Sequence, residues 1–175
     1  FNVSENAIST IASMRGVGVG ANQSFEQSVG LFVDGVHLAK GRQFRTGLFD
    51  VERVEVLRGP QGTLFGKNTL TGAINVISAK PEIGGDFGGQ ISLAVEDENS
   101  ANIIDGHLNI PAGDSFAVRL SFKDREDDGY ITNAYLNTTG PTADEQLLRL
   151  SASWQPSDDL RIDMKHTDGE HVRIG

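Results

Sequence analysis

The sequence has 175 residues, with 15 Lys and Arg against 24 Asp and Glu, which gives a formal charge of -9. An acidic chain without a basic run excludes nucleic acid as the expected partner. The absence of cysteine excludes disulfides, thiolate metal sites and cysteine nucleophiles. Since no run of about 18 apolar residues occurs, a transmembrane helix is not predicted, although alternating barrel strands would escape a hydropathy average.

The first segment contains a glycine pattern that invites a dinucleotide-binding interpretation. Gly16, Gly18 and Ala21 satisfy G-x-G-x-x-A, and Asp34 lies near the distance expected for a ribose contact. Such glycines should open a helix, whereas residues 21–28 are polar and have no apolar face of helical period. A flexible glycine loop is therefore predicted.

Residues 29–38 are predicted to form a strand pair around a tight turn at Asp34 and Gly35. His37 has no second histidine nearby, so a surface position is favoured over a metal ligand, and no metal site is predicted. A local basic cluster follows, which fits either a solvated loop or an anion-attracting surface. Its residues are Lys40, Arg42, Gln43 and Arg45.

Residues 50–80 hold two runs rich in β-branched residues, 54–57 and 73–77, which predict two short strands. The glycines between them require repeated turns. Four charges fall within seven residues and cannot all be buried unpaired. These are Glu52, Arg53, Glu55 and Arg58. The residues alone predict a compact β-turn-β unit with a charged face.

After Pro81 the sequence falls into five segments of period 2, which predict antiparallel strands. They span residues 90–95, 105–110, 116–123, 148–154 and 160–165. One face is mostly apolar, as in a soluble sandwich with that face inward or in a membrane barrel with that face toward lipid. Short connectors at 111–115 and 156–159, against a long polar loop at 124–146, favour the barrel.

The stretch ERVEVLRGPQGTLFGKNTLTGAINVIS, residues 52–78, resembles the plug-domain signature of TonB-dependent outer-membrane receptors. The segments MRGVG and GLFVDGVHL are similar to further plug segments. The motif positions are Asp34, Gly35, Glu52, Arg53, Glu55, Arg58, Gly59, Gly62, Gly66, Asn68, Gly72 and Asn75. The resemblance implies an α+β plug domain, of which residues 1–83 are the C-terminal part. Residues 84–175 would be the first strands, about five, of a transmembrane β-barrel of about 22 antiparallel strands.

The resemblance also implies a function. It indicates a receptor of the bacterial outer membrane for energy-coupled uptake of a scarce ligand, most often an iron-siderophore complex, with carbohydrate, cobalamin or aromatic compounds as alternatives. The implied partners are outer-membrane lipid, the ligand, and the inner-membrane coupling protein TonB through a box upstream of Phe1. Neither catalytic residues nor a cofactor is expected. Because no signal peptide opens the chain and five strands cannot close a barrel, a fragment is expected.

Three groups of residues are candidates for function. The connectors that correspond to apical plug loops would face the ligand, through Asn22, Gln23, Phe25, Lys40, Arg42, Gln43 and Arg45. Arg15 and Arg58 match plug arginines that pair with acids of the barrel wall, a task suited to the bidentate guanidinium; Arg58 could instead pair with Glu52 or Glu55. The shared apolar face predicts lipid contact for Ile91, Leu93, Val95, Leu108, Ile110, Val118, Leu120, Phe122, Leu148, Leu150 and Ile162.

Two other classes of protein are compatible with alternating strands. A soluble β-sandwich enzyme would need a catalytic constellation, yet the four histidines are scattered and neither H-E-x-x-H nor G-x-S-x-G occurs. A passive adhesive β-protein would explain the strands but not the stretch at 52–78. The chain is therefore predicted not to be an enzyme.

Overall fold

A computed structural model describes residues 2–5, 10–14, 17–18, 28–39, 43, 48–66, 68–96, 100–129, 131–135 and 138–174. The chain divides into two compact units, Phe1–Ala79 and Lys80–Gly175. Within the described ranges, no helix has the length and apolar character needed to cross a membrane.

The first unit contains two small sheets. One is antiparallel, in the order β1-β2-β3, and is formed by β1 (Asn2–Glu5), β2 (Thr10–Met14) and β3 (Val17–Gly18). The other has the order β5-β4-β7-β6 and is formed by β4 (Val29–Val33), β5 (Val36–Leu38), β6 (Val51–Arg58) and β7 (Gly72–Ser78). A single helical turn, α1 (Gly62–Phe65), lies between β6 and β7 in the chain. The predicted strands at 29–38, 54–57 and 73–77 are confirmed.

The second sheet combines one parallel and two antiparallel strand pairings with a small hydrophobic core. β4 and β7 run parallel, whereas β5 and β6 are antiparallel to their neighbours. Met14 packs with apolar residues of β4 and β7. A side chain at Gly72 would collide with the carbonyl oxygen of Leu57 and the sulfur of Met14, so glycine permits this close packing. The core residues are Met14, Val29, Leu31, Ile74 and Val76.

The second unit is a five-stranded antiparallel sheet in the order β14-β13-β10-β9-β8. Its strands are β8 (Gly88–Glu96), β9 (Ala101–Ala112), β10 (Phe116–Asp127), β13 (Thr142–Ser157) and β14 (Leu160–Ile174). A small hairpin of β11 (Ile131–Asn133) and β12 (Thr138–Gly140) lies between β10 and β13 in the chain. All five predicted strands are confirmed.

The predicted loop over residues 124–146 is wrong in its extent. β10 continues to Asp127, and β13 begins at Thr142. Asp124 pairs with Gln146 and Glu126 with Asp144 across the two strands. The acidic side chains end the apolar alternation, but the ladder is made by backbone groups and continues past them.

Candidate functional site

The five-stranded sheet has two faces of opposite chemistry. Residues directly opposite in an antiparallel ladder share a face, and the register places the eleven apolar residues predicted to contact lipid on one face, here called the apolar face. Many of them are exposed, for example Leu93 at 76% and Leu150 at 51%. Arg119 and Arg149 lie on the other, polar face.

The polar face buries side chains on its three central strands, β9, β10 and β13. Its buried polar side chains are Asn109, Arg119, Ser121, Glu145, Arg149, Ser151 and Ser153. Lys123 Nζ lies 2.6 Å from Glu145 Oε2, with the two side chains 17% and 8% exposed. Arg149 Nε donates to Thr167 Oγ1 at 3.2 Å. Soluble proteins place apolar side chains inside and pair the few polar groups they bury, so this sheet is inverted relative to a soluble core.

Three charged side chains of β6 and one amide of β7 form a connected cluster in the first unit, here called the β6 cluster. Its members are Glu52, Arg53, Glu55 and Asn75. Arg53 Nε donates to Glu55 Oε1 at 2.9 Å, and Arg53 also contacts Glu52. Asn75 Nδ2 donates to Glu55 Oε2 at 3.0 Å from the directly opposite position on β7. The hydrogen bond from Arg53, and then that from Asn75, lowers the pKa of Glu55.

The lowered pKa of Glu55 predicts a local acid sensitivity. A carboxyl group whose pKa falls on folding stabilises the fold above its ordinary value of 4.5, and that contribution disappears as the pH falls through the folded value. We expect a carboxyl-carbon NMR titration of Glu55 to have its midpoint below 4.5. Arg53→Met should move the midpoint upward, whereas Arg161→Met should not. A midpoint unaffected by Arg53→Met would contradict the assigned cause.

Asp34 joins the turn after β4 to the end of β7. Its Oδ1 accepts the backbone N–H of Ser78 at 2.8 Å, and its Oδ2 accepts the Ser78 hydroxyl at 2.8 Å. The Asp34 N–H donates to the carbonyl oxygen of Val76 at 2.9 Å. Asp34 and Gly35 have φ of 50° and 81°, the positive values that a type I′ hairpin turn requires. One residue therefore both turns the hairpin and fixes it to the parallel strand.

We expect Asp34→Ala to destabilise the first unit by about 1.5–3 kcal/mol, because hydrogen bonds to a charged group contribute about that much. The backbone N–H of Ser78 would also lose its acceptor. Denaturant unfolding followed by a fluorophore on the first unit measures the change. Asp86→Ala, at an exposed carboxylate, is the control, and equal losses in the two variants would rule out a special role for Asp34.

Comparison with known proteins identifies the first unit. Residues 2–73 match the family profile described as the TonB-dependent receptor plug domain. The chain is 40% identical over 79 residues to the pesticin receptor of Yersinia pestis, covering 45% of this chain and 11% of that protein. It is 40% identical over 75 residues to the catecholate siderophore receptor Fiu of Escherichia coli K12, covering 42% of this chain and 9% of Fiu.

The likeness extends through the second unit. The crystal structure of the ferric yersiniabactin uptake receptor FyuA from Yersinia pestis superposes with a TM-score of 0.84 and 26% identity, over 96% of this chain and 27% of that chain. Residues 2–73 therefore form a plug domain of the kind found in TonB-dependent receptors. The chain spans about a tenth of the length of the curated relatives that it matches. Those relatives are named as receptors, in agreement with the prediction that the chain is not an enzyme.

The plug-motif positions have two physical roles. Some shape the backbone: Gly59, Gly66 and Asn68 have φ of 96°, 74° and 68°, and Gly62 begins α1. Others bind side chains, in the β6 cluster and at Asp34. No sequence pattern predicted that Asp34 accepts hydrogen bonds from Ser78. Nor did one predict that the Phe32 ring packs against His37 and Phe65, with ring centroids 5.0 and 4.8 Å apart.

Most of the predicted ligand-facing residues lie outside the described residues, namely Asn22, Gln23, Phe25, Lys40, Arg42 and Arg45. Gln43 is described and is half-buried. Arg15 also lies outside the described residues, so its part in an ion lock stays a prediction. Among the described side chains, no group of His, Asp or Glu residues is arranged to hold a metal ion.

Arg58, the second candidate for the lock, is exposed at the end of β6. Glu52 and Glu55, the local carboxylates that it could have met, both contact Arg53. In the described part of the chain Arg58 makes no ion pair. Its pairing with a barrel acid stays a prediction.

Proposed function

We propose that this chain is part of an outer-membrane receptor that imports a scarce ligand by energy-coupled transport, and that the ligand is an iron-siderophore complex. The observation that carries the proposal is that a plug-domain unit is followed in the chain by a sheet whose apolar face is exposed and whose other face buries charged and polar side chains on its central strands. The names of the catecholate siderophore receptor Fiu and of the ferric yersiniabactin uptake receptor FyuA support an iron-siderophore complex as cargo. Carbohydrate, cobalamin or an aromatic compound are the alternative ligands.

The proposal assigns residues 1–83 to the plug and 84–175 to the first strands of a barrel of about 22 strands. The barrel strands would cross the bilayer with the apolar face toward lipid, since a closed ladder satisfies every backbone group in hydrocarbon. The plug would be the movable gate in the lumen. TonB would act on it through a box upstream of Phe1.

The exposed apolar face argues against the soluble alternative. A β-sandwich enzyme would cover side chains such as Ile91, Leu93 and Val95, which are 69%, 76% and 75% exposed. An open apolar sheet in water would favour aggregation. The hypothesis of a passive adhesive protein does not explain the plug-domain match at residues 2–73.

The test of this function uses the complete receptor in iron-starved cells. We expect uptake of a radiolabelled ferric siderophore, from a panel of catecholate and phenolate complexes, that disappears when TonB is deleted. Uptake of none of the ferric complexes, together with TonB-dependent uptake of a carbohydrate or cobalamin, would reassign the cargo. Uptake that does not depend on TonB would reject the transport mechanism.

The proposed ligand-facing loops contain basic residues that suit an anionic ferric complex. Within the same uptake assay, alanine substitutions at Lys40, Arg42 and Arg45 should weaken binding of the ferric complex. Substitutions at Asn22, Gln23, Phe25 and Gln43 test the uncharged part of the proposed surface. Unchanged affinity in all seven variants would remove these loops from the binding site.

Arg58→Ala should raise the open probability of the complete receptor in single-channel recordings, because it would remove the guanidinium proposed to hold the plug against an acid of the barrel wall. Arg53→Ala is a matched control on the same strand, since Arg53 is engaged by Glu52 and Glu55. The recordings are made under mild denaturant or applied force. If Arg58→Ala opens the plug no more than Arg53→Ala, Arg58 has only a local role.

A further inference from the structure

The segment from Lys80 to Phe87 leads into β8, and its backbone is bound by a side chain of β9. The Glu82 N–H donates to Asn109 Oδ1 at 3.0 Å, and Asn109 Nδ2 donates to the Glu82 carbonyl oxygen at 3.3 Å. One amide side chain therefore satisfies both backbone groups of Glu82, as a neighbouring strand would. Asn109 is 6% exposed and lies on the polar face.

A second contact holds the start of the same segment. Lys80 Nζ lies 2.7 Å from Asp163 Oδ2 on β14. The carboxylate is itself fixed, because Asp163 Oδ1 accepts Ser153 Oγ at 2.6 Å and Arg161 Nε at 3.0 Å. Pro81, between the two held residues, is buried. Since Lys80 is 55% exposed, its ion pair is the weaker contact, and Asn109 provides the stronger one.

We propose that Asn109 and Asp163 form a linker anchor that holds residues 80–87 against the polar face while the first unit moves or unfolds. The proposal rests on the proposed function, in which force acts on the first unit. The anchor would end the moving part of the plug at Ala79, so that residues 80–83 stay with the barrel strands. Without it, a pull on the first unit would reach β8 directly and load the ladder between β8 and β9.

The hydrogen bonds between Asn109 and Glu82 oppose a force applied to the first unit. Both backbone groups of Glu82 are bound by the buried side chain of Asn109, so peeling the segment away would leave the Asn109 amide without these partners. That cost opposes detachment. The β8–β9 pairing begins only at Gly88. The eight residues before it therefore lie outside that ladder, and the anchor contacts bind them to the polar face.

Force spectroscopy of the complete receptor in a lipid bilayer tests the anchor. The receptor is pulled by a handle on the amino-terminal side of the plug. We expect the unaltered receptor to show a separate last step of about 26–29 Å, the contour length of eight extended residues, after the first unit has unfolded. The double variant Asn109→Leu/Asp163→Asn should lose that step, and its final extension should be reached at lower force.

Two substitutions on the apolar face provide matched controls, Asn102→Leu on β9 and Asp168→Asn on β14. They change the same residue types on the same strands and should keep the separate step. Identical traces for the double variant and the unaltered receptor, or loss of the step in the controls as well, would overturn the anchor. The force trace requires neither a ligand nor TonB, so a failure of the transport proposal appears separately, as absent uptake.

Hydrogen exchange of the unaltered receptor is a second test, and it does not depend on whether a variant folds. The Glu82 amide of the complete receptor should exchange as slowly as amides inside β9, because it is bonded to a buried side chain. The nearby amide of Gly84, which lies in a turn, serves as the reference. Exchange of the Glu82 amide at the rate of Gly84 would contradict the anchor independently of the force experiment.

Discussion

Lys123→Met is expected to destabilise the second unit by about 3–5 kcal/mol, because it leaves the carboxylate of Glu145 buried without its cation. The two charged groups lie 2.6 Å apart, and the Glu145 side chain is only 8% exposed. The pair joins neighbouring strands, since Lys123 lies on β10 and Glu145 on β13. Equilibrium denaturant unfolding of the complete receptor in lipid vesicles measures the free energy of unfolding.

The double variant Lys123→Met/Glu145→Leu separates the ion pair from its packing. Replacing both charges of a buried pair by apolar groups is often neutral or stabilising, so the double variant should recover most of the loss. Arg161→Met removes a cation from a pair with Asp163 whose side chains are 41% and 36% exposed, and it should cost no more than about 1 kcal/mol. Equal costs for Lys123→Met and Arg161→Met would show that burial does not set the strength of these pairs.

The period-2 alternation predicted where the barrel-type strands lie, because side-chain direction in a strand follows directly from position. It did not predict where they end. Asp124 and Glu126 ended the apolar alternation on β10, and the sequence therefore indicated a loop there. Their backbone groups pair with β13 all the same. Alternation reports the surroundings of the side chains, whereas strand length depends on the backbone ladder.

The candidate site shows a second limit of prediction from sequence. Four charges within seven residues predicted a charged face, but not which side chains would meet. Asn75 meets Glu55 through the antiparallel register of β6 and β7. Ser78 meets Asp34 through the parallel pairing of β4 and β7, across 44 residues of chain. Such partners follow from strand order and register, which a local pattern does not determine.

The apolar residues of the apolar face lie at different positions along successive strands. On β8 the residues of the apolar face remain apolar as far as Val95. On β14 the residues of the same face are apolar at Met164 but polar or charged at His166 and Asp168. Paired residues form rows perpendicular to the strands. An apolar band that moves along successive strands therefore crosses those rows diagonally. This is the relation expected for barrel strands tilted by about 35–45° to the membrane normal.

The diagonal band places Ile91 within the apolar stretch of β8, between Gly89 and Val95. In the proposed barrel, Ile91→Arg should therefore destabilise the complete receptor by about 2–4 kcal/mol, the cost of a cation on a lipid face near the bilayer midplane. The physical cause is that the guanidinium would lose its hydration in hydrocarbon. Denaturant titration in vesicles, with the same lipid for every variant, gives the free energy of unfolding.

Gln90→Arg is the matched control, one residue away on the polar face and exposed in the structure. In the proposed barrel the guanidinium at position 90 faces the lumen and keeps its water, so this variant should unfold at nearly the same denaturant concentration as the unaltered receptor. The contrast between adjacent positions removes differences in depth, strand and the introduced side chain. If Gln90→Arg were the more damaging substitution, the apolar face would pack inward, as in a soluble sandwich, and the membrane assignment would fail.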